Sequence, residues 1–187
     1  NKNAATGVDK VSYQEYAENL TVNIRELVER LKRKSYRSKL VRRHFIPKGN
    51  GKMRPLGIPA TEDKLLQYAV TQILQAIYEQ DFLDCSYGYR PGRGAIDAVQ
   101  WLKKNLCACH YVVDADIKGY FDSINHDWMI KMLEQRINDN SLLRLIRKWL
   151  KAGVLEPKGE VIHPITGTPQ GGIISPILAN IYMHYVL

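Results

Sequence analysis

Two short segments constrain what this chain can fold into more than any other part of it. Residues 168–176 form a turn rich in proline and glycine that opens directly into an apolar helical pattern. Residues 111–117 form a short apolar stretch that carries Asp114 and Asp116, so a strand that delivers carboxylates is predicted there. The free N–H groups of a helix start bind phosphate, and carboxylates at the end of a strand can hold Mg²⁺. Together the two segments predict a site for a nucleoside triphosphate on a fold of mixed helices and strands.

The charge of the chain favours a polyanionic partner. Its 187 residues include 27 Lys and Arg against 19 Asp and Glu, which gives a net charge of +8. An excess of this kind is typical of proteins that bind nucleic acid, although charge alone is equally compatible with a basic protein that has no such partner. The length allows one good core, or one core and a smaller lobe.

The cysteines and the hydropathy pattern bear on the compartment. Cys85, Cys107 and Cys109 are an odd number, which predicts free thiols in a reducing compartment. Cys107, Cys109 and His110 lack a second ligand pair at zinc spacing, so packed or surface thiols are favoured over a metal site. No apolar run approaches the length of a membrane span and the N-terminal residues are polar, so neither a membrane partner nor a signal peptide is expected.

Hydrophobic periodicity and capping signals predict the order of the elements. Ser12 and Glu15 form a capping box before a helix whose apolar pattern runs to Leu31, and Thr61 is predicted to cap a second helix. A glycine turn predicts a β-hairpin over residues 45–56. The remaining predicted elements are a helix over 95–109, the strand over 111–117, helices over 126–137 and 141–152, a hairpin over 154–165 and a last helix from Ser175.

A run of seven cations without a single acid spans residues 32–43. The aromatic Tyr36 within the run favours a nucleic-acid surface over a solvated helix end and edge strand. Two more arginines lie in a loop over 86–94, rich in Gly and Tyr, which could contact a template strand or serve as a tightly turned connector. The predicted RNA-binding residues are Lys32, Arg33, Lys34, Arg37, Lys39, Arg42, Arg43, Arg90 and Arg93.

The tip of the predicted hairpin carries three further cations, Lys48, Lys52 and Arg54. Cations on a hairpin tip can close over a triphosphate through charge-assisted hydrogen bonds. The alternative is a loop tip that only improves solubility.

Asp114 and Asp116 are two positions apart, so on a strand their side chains share one face. Paired acids on an apolar strand are costly unless a metal ion or cations neutralise them. A structural role is favoured for Asp114, whereas the Tyr-Phe pair at 120–121 favours a functional role for Asp116. Transferases that use nucleotide sugars share the Asp-x-Asp pattern, but that alternative leaves the basic run and residues 168–176 unexplained.

These motifs, in this order, resemble those of reverse transcriptases, and their amino-acid sequences are most similar to those of group II intron-encoded enzymes. Residues 116–122 resemble the first catalytic motif, and residues 5–9 resemble the N-terminal extension motif of group II intron and non-LTR enzymes. The resemblance implies that Asp116 is catalytic and binds metal, with the Ile117 carbonyl as a further ligand. It also implies that Phe121 lies under the incoming sugar and excludes a 2′-hydroxyl group.

The resemblance implies the remaining nucleotide contacts as well. Residues 52–59 match the fingers motif in which Arg54 grips the triphosphate; Lys48 resembles its partner cation, and Lys52 is grouped with them. Gln170 matches the family glutamine that contacts the bound nucleotide. With Phe121, these four residues are the implied nucleotide-binding set.

The implied fold class is α+β, with helix-rich fingers that contain a β-hairpin over residues 1–92 and the first, incomplete part of a right-hand polymerase palm over 93–187. The family's second catalytic motif, an aromatic-x-Asp-Asp turn, is expected beyond the last helix, and no Asp-Asp pair occurs in this sequence. Transfer with two metal ions needs carboxylates from both motifs. The chain is therefore expected to be cut from a longer enzyme and not to polymerise alone.

The implied function is that of an RNA-directed DNA polymerase, which adds dNTPs to a DNA or RNA primer on an RNA template with two Mg²⁺ ions. A bacterial protein of the cytoplasm is expected, which also binds intron RNA and assists its splicing. The alternative is an RNA-binding splicing maturase without polymerase activity. A homodimer is a further expectation if apolar surface is left uncovered.

Overall fold

The computed structural model describes residues 4–47, 51–168 and 171–186, and the side chain of Ala108 is not described. Lys48 and Gln170, two predicted nucleotide-binding residues, lie outside the described residues. The helices are α1 (Tyr13–Glu18), α2 (Leu20–Lys32), α3 (Thr61–Tyr78), α4 (Ala95–Asn105), α5 (Tyr120–Ser123), α6 (His126–Glu134), α7 (Asn140–Leu150) and α8 (Ser175–Val186). The strands are β1 (Val41–Pro47), β2 (Met53–Ile58), β3 (Val154–Leu155) and β4 (Val161–Ile162).

A four-stranded sheet in the order β2-β1-β3-β4 joins the two predicted hairpins. β1 and β2 pair antiparallel with Ile46 opposite Arg54, and β3 and β4 pair antiparallel with Val154 opposite Ile162. β3 lies parallel to β1, with Val41 opposite Val154. Both hairpins are thus confirmed. Their parallel junction is not evident from local patterns, because the paired strands are far apart in the chain.

One hydrophobic core holds α2, α3, α6, α7 and α8 together. Its fully buried members include Leu74, Met129, Leu133, Ile146, Leu178 and Ile181. Burying a side chain of this size contributes about 1.5–3 kcal/mol relative to leaving it in water. Core members come from both sides of residue 92. The division into fingers over 1–92 and palm over 93–187 stays a prediction.

The N-terminal helices confirm one capping prediction and contradict another. Ser12 Oγ accepts a hydrogen bond from the Glu15 N–H at 3.2 Å, and Glu15 accepts one from the Ser12 N–H at 2.7 Å, so the capping box is confirmed. The single helix predicted to reach Leu31 is interrupted at Asn19. Thr61 does not cap α3, because it is the first helical residue and its hydroxyl donates to the Val11 carbonyl at 2.7 Å.

The strand predicted over residues 111–117 is wrong. These residues have no regular secondary structure, and Tyr111 and Val113 are 93% and 91% exposed. A strand needs a neighbour for its backbone hydrogen bonds, and no described residue pairs with this segment. The preceding helix α4 ends at Asn105 before a 3₁₀ turn, and none of its described side chains is buried. The homodimer that is expected if apolar surface is left uncovered stays a prediction.

Candidate nucleotide and nucleic-acid site

A cleft of about 280 Å³ brings together residues from four separate parts of the sequence. Arg54 reaches it from β2, Phe121 from α5, and Gly171 and Gly172 from the turn before α8. These are three of the motifs from which the nucleotide site is predicted. The other described lining residues are Ile46, Leu56, Tyr89, Ser175 and Pro176. Lys52 is exposed beside the hairpin tip and does not line the cleft.

Gly171 explains why the turn lies against the hairpin. Its φ is +104°, and a Cβ atom at this position would lie 2.9 Å from the Gly57 carbonyl oxygen of β2. A side chain would therefore meet both backbone strain and a steric clash. The hydroxyl groups of Thr168 and Ser175 lie 2.8 Å apart across the turn, and the Ile173 N–H donates to Gln67 of α3 at 3.1 Å. The turn is thus held by β2, α3 and α8.

Hydrogen bonds on both sides fix the backbone that carries Phe121. Gly119 adopts a left-handed conformation with φ 63° just before α5. The Phe121 carbonyl accepts from the Thr168 N–H at 2.8 Å. The Tyr120 hydroxyl donates to the Ala179 carbonyl of α8 at 2.6 Å, and burial raises the pKa of Tyr120 to about 12. The short helix α5 is therefore tied to the glycine turn and to α8 together.

The two candidate acids both lie on the surface. Asp114 and Asp116 are exposed, and neither carboxylate has a hydrogen-bond or salt-bridge partner among the described residues. A carboxylate of this kind keeps its oxygens available for a cation, and Mg²⁺ accepts carboxylate and carbonyl oxygens while retaining water ligands. Asp116 and the Ile117 carbonyl fit part of such a site. No group of three or more His, Cys, Asp or Glu residues within the described ranges could hold a metal ion.

The cations of the basic run fall into two groups. Lys39 forms a salt bridge with Asp9 at 2.9 Å, Arg42 donates twice to the Thr6 carbonyl, and Arg43 pairs with Glu156 at 2.9 Å. The predicted N-terminal motif thus covers part of the run. Among the described residues, Lys32 pairs only with exposed Glu29, at 3.1 Å. Arg33, Lys34 and Arg37 are exposed without an ion-pair partner in the described part of the chain, and with Lys32 we call them the open cations.

Tyr36 lies in the core, which corrects the prediction that its ring contributes to an RNA surface. It is 1% exposed; its hydroxyl donates to Asp63 Oδ1 at 2.5 Å and accepts from Trp149 Nε1 at 3.0 Å. Asp63 Oδ2 accepts from the Lys39 N–H at 3.0 Å. Burial raises the pKa of Tyr36 and also that of Asp63. The aromatic residue of the run therefore joins α3 to α7.

Arg90 and Arg93 hold their own loop. Arg90 is buried, pairs with Glu79 at 3.0 Å and donates to the carbonyls of Leu83 and Ser86 at 2.8 and 2.9 Å. Arg93 pairs with Asp84 at 2.9 Å. Of the two interpretations of this loop, a tightly turned connector fits these contacts, and Arg90 is not on a surface that RNA could reach.

A second groove, of about 230 Å³, adds two cations that the sequence prediction missed. Arg144 and Lys148 line it together with Lys34, which links α7 to the open cations. Lys148 also donates to the Tyr36 carbonyl at 2.5 Å. The spacing of these two cations could have indicated this groove, because Arg144 and Lys148 are four positions apart and residues four apart on a helix share one face.

Comparison with known proteins gives the family to which this fold and cleft belong. Residues 46–187 match the family described as "Reverse transcriptase (RNA-dependent DNA polymerase)", so the chain belongs to the reverse transcriptases. It lies within the group II intron branch, as its motifs predict. It is 46% identical over 162 residues to the group II intron-encoded protein LtrA of Lactococcus lactis subsp. cremoris, covering 86% of this chain and 27% of LtrA.

Two further likenesses agree with this assignment. The protein YkfC of Escherichia coli (strain K12) is 37% identical over 183 residues, which cover 95% of this chain and 48% of YkfC. A solved structure of a partial Cas6-RT-Cas1–Cas2 complex superposes with a TM-score of 0.59 at 25% identity, over 89% of this chain and 28% of that chain. The α+β class with fingers and partial palm is thereby confirmed. Among the described helices, none is both long and apolar enough to span a membrane.

Proposed function

We propose that this chain supplies the fingers and the first part of the palm of an RNA-directed DNA polymerase, which extends a DNA or RNA primer with dNTPs on an RNA template. The observation that carries the proposal is the convergence of Arg54, Phe121 and the Gly171–Gly172 turn on one cleft. A guanidinium group suits a triphosphate, because it makes charge-assisted and bidentate hydrogen bonds. Lys48, Lys52 and Gln170 are proposed to complete the nucleotide contacts.

Phe121 is proposed to select the sugar. Its ring lines the same cleft as Arg54, and the backbone that carries it is fixed by Thr168 and, through Tyr120, by α8. A ring held in this way fills a defined volume, so a nucleotide with an additional hydroxyl group at that point would be excluded sterically.

Asp116 is proposed to be the catalytic carboxylate and, with the Ile117 carbonyl, to hold Mg²⁺. Two ions are proposed for the whole protein, and when bound they stabilise the charge on the transferring phosphoryl group. Asp116 contributes an exposed, unpaired carboxylate within the described part of the chain. The ligands of the second ion are proposed to come from the rest of the longer protein.

The open cations, with Arg144, are proposed to bind template and intron RNA. None of them lines the nucleotide cleft. This observation favours a second candidate function, a splicing maturase that binds intron RNA without polymerising. The three free, exposed cysteines support a reducing compartment, for which we propose the bacterial cytoplasm.

Primer extension on an RNA template by the full-length protein tests the polymerase proposal. Asp116→Asn should abolish extension, because an amide is a poor ligand for Mg²⁺, and should leave RNA binding in a parallel filter assay largely intact. Asp114→Asn is the matched control, since Asp114 is an exposed acid of the same segment; it should extend primers at close to the wild-type rate. Near wild-type extension by Asp116→Asn would remove Asp116 from its proposed role. Equal loss in both variants would show that the effect is not specific to Asp116.

A further inference from the structure

Tyr89 has a backbone conformation that is rare for a bulky residue. Its φ is +56°, in the left-handed region that glycine and asparagine occupy more readily. Strain of this kind persists only where the surrounding structure holds the residue in place, and it clusters at functional sites. Tyr89 is also one of the residues that line the nucleotide cleft.

The residues on both sides of Tyr89 are anchored. The buried guanidinium of Arg90 holds the carbonyls of Leu83 and Ser86, and the Asn180 side chain of α8 donates to the Gly88 carbonyl at 2.7 Å. The loop therefore cannot relax at Tyr89 without breaking one of these contacts. Its conformation is imposed from both ends.

The ring of Tyr89 contacts Phe121 at the cleft. The two ring centroids lie 6.5 Å apart with an interplanar angle of 83°, which is an edge-to-face arrangement. Tyr120 makes a second edge-to-face contact with Phe121 at 5.8 Å. Tyr120 is bonded to Ala179 and the Tyr89 loop to Asn180, so consecutive residues of α8 support both rings. The Tyr89 hydroxyl makes no hydrogen bond within the described part of the chain. The contact between Tyr89 and Phe121 is therefore one between the two rings.

We propose that Tyr89 is a positioning residue that holds the Phe121 ring across the cleft and thereby sets the discrimination between dNTPs and rNTPs. The inference rests on the proposed function, in which Phe121 excludes the 2′-hydroxyl group. Without the ring of Tyr89, Phe121 has free space on the loop side and can turn away from the sugar. The residue with the left-handed backbone is also the one whose ring contacts Phe121 from the loop side.

Three substitutions in the full-length protein separate the effect of the Tyr89 ring from the effects of its hydroxyl group and of the loop. Tyr89→Asn accepts the left-handed backbone but removes the ring, and it should lower the preference for dCTP over rCTP by about tenfold or more. Tyr89→Phe keeps the ring and should match the wild type. Tyr87→Asn is the control, because Tyr87 lies in the same loop against Arg93 and does not line the cleft. Unchanged discrimination in Tyr89→Asn, or equal relaxation in Tyr89→Phe, would overturn the proposal.

A spectroscopic measurement tests the contact independently of activity. The 187-residue chain contains three phenylalanines, so fluorophenylalanine labelling of this chain gives three ¹⁹F resonances, and Phe121→Leu identifies that of Phe121. Tyr89→Asn should shift this resonance, and Tyr87→Asn should not. If the resonance shifts but the full-length wild-type protein never extends a primer, the proposed function is refuted, and with it the role of Tyr89 in sugar choice. An unmoved resonance, together with primer extension by the full-length wild-type protein, would refute the Tyr89 inference alone.

Discussion

Tyr36 shows how far the environment of a single residue can differ from the environments of its neighbours in the sequence. It lies between Ser35 and the open cation Arg37, yet its hydroxyl group bridges Asp63 and Trp149 inside the core. Cations and an aromatic residue in one run are typical of a nucleic-acid surface, but the pattern does not report burial. Its hydrogen-bond partner Asp63 is 27 positions away in the chain. Local composition could therefore identify the exposed cations but not the buried ring among them.

Tyr36→Phe is expected to lower the free energy of unfolding by about 1–3 kcal/mol, because Asp63 Oδ1 and Trp149 Nε1 lose their shared partner inside the core. RNA affinity and its salt dependence should not change once the chain is folded. Urea denaturation and RNA titration in KCl measure the two effects. Arg37→Ala is the neighbouring control and should show the reverse pattern. Weaker RNA binding by folded Tyr36→Phe would indicate that Tyr36 contributes to the nucleic-acid surface and would contradict this prediction.

Asp63 is expected to make stability depend on pH. Burial raises its pKa in the folded chain above its ordinary value of 3.8, whereas in the unfolded chain the group titrates near that value. As pH rises through this interval, the unfolded chain releases the proton first, so the contribution of Asp63 to stability falls. The difference in unfolding free energy between wild type and Asp63→Asn should therefore decrease from about pH 4 upward. A difference that grows with pH over this range would contradict the assignment.

At the scale of elements, the signals that predicted correctly act over a few residues. The capping box at Ser12 and the strand pairing of the first hairpin depend on neighbours in the sequence, and both are confirmed. The strand predicted over residues 111–117 depends on a second strand, which its own sequence does not specify. The cleft is an intermediate case: Arg54, Phe121 and the glycine turn were predicted individually, whereas Tyr89 enters it only through the contacts that hold its loop.

Gly171→Ala is expected to displace the turn from β2, because the added Cβ atom would lie 2.9 Å from the Gly57 carbonyl oxygen. The variant should lose stability and raise the KM for dNTP. Gly159→Ala is the control: residue 159 also has a positive φ, +90°, but no atom within 4 Å of an added Cβ. It should lose only the strain energy of an alanine in this region, about 1 kcal/mol or more, with KM unchanged. Equal effects of the two substitutions on KM would show that contact with β2 does not position the turn.

For the whole molecule, the distribution of charge matters more than the net value of +8. Asp9 and the Thr6 carbonyl engage Lys39 and Arg42, and Glu156 engages Arg43, so three cations of the basic run stabilise the fold. The open cations remain accessible to phosphate. A cation that binds a phosphate group releases counterions from RNA. The open cations should therefore contribute more to the salt dependence of RNA affinity than the three cations that stabilise the fold.

Replacing Lys32, Arg33, Lys34 and Arg37 together by glutamine is expected to reduce the slope of log K against log[KCl] by about 3 for single-stranded RNA, since each phosphate that a cation neutralises contributes about 0.7. The control replaces Lys39, Arg42 and Arg43 and should lower stability with a smaller change in slope. RNA titrations of the 187-residue chain at several KCl concentrations measure this, and the same chain should show no primer extension. An unchanged slope in the first variant, or extension by this chain, would contradict the prediction.

The parallel pairing of β1 with β3 also has a consequence for biosynthesis. Arg43 and its partner Glu156 are 113 positions apart in the chain. At the usual speed of ribosomes, about 5–20 residues per second, β1 emerges roughly 6 to 23 seconds before the strand that covers its edge. During that time β1 presents an unpaired edge and α3 presents apolar side chains that α6 and α8 later cover. Nascent chains stalled within this interval should therefore be the form that chaperones bind most strongly.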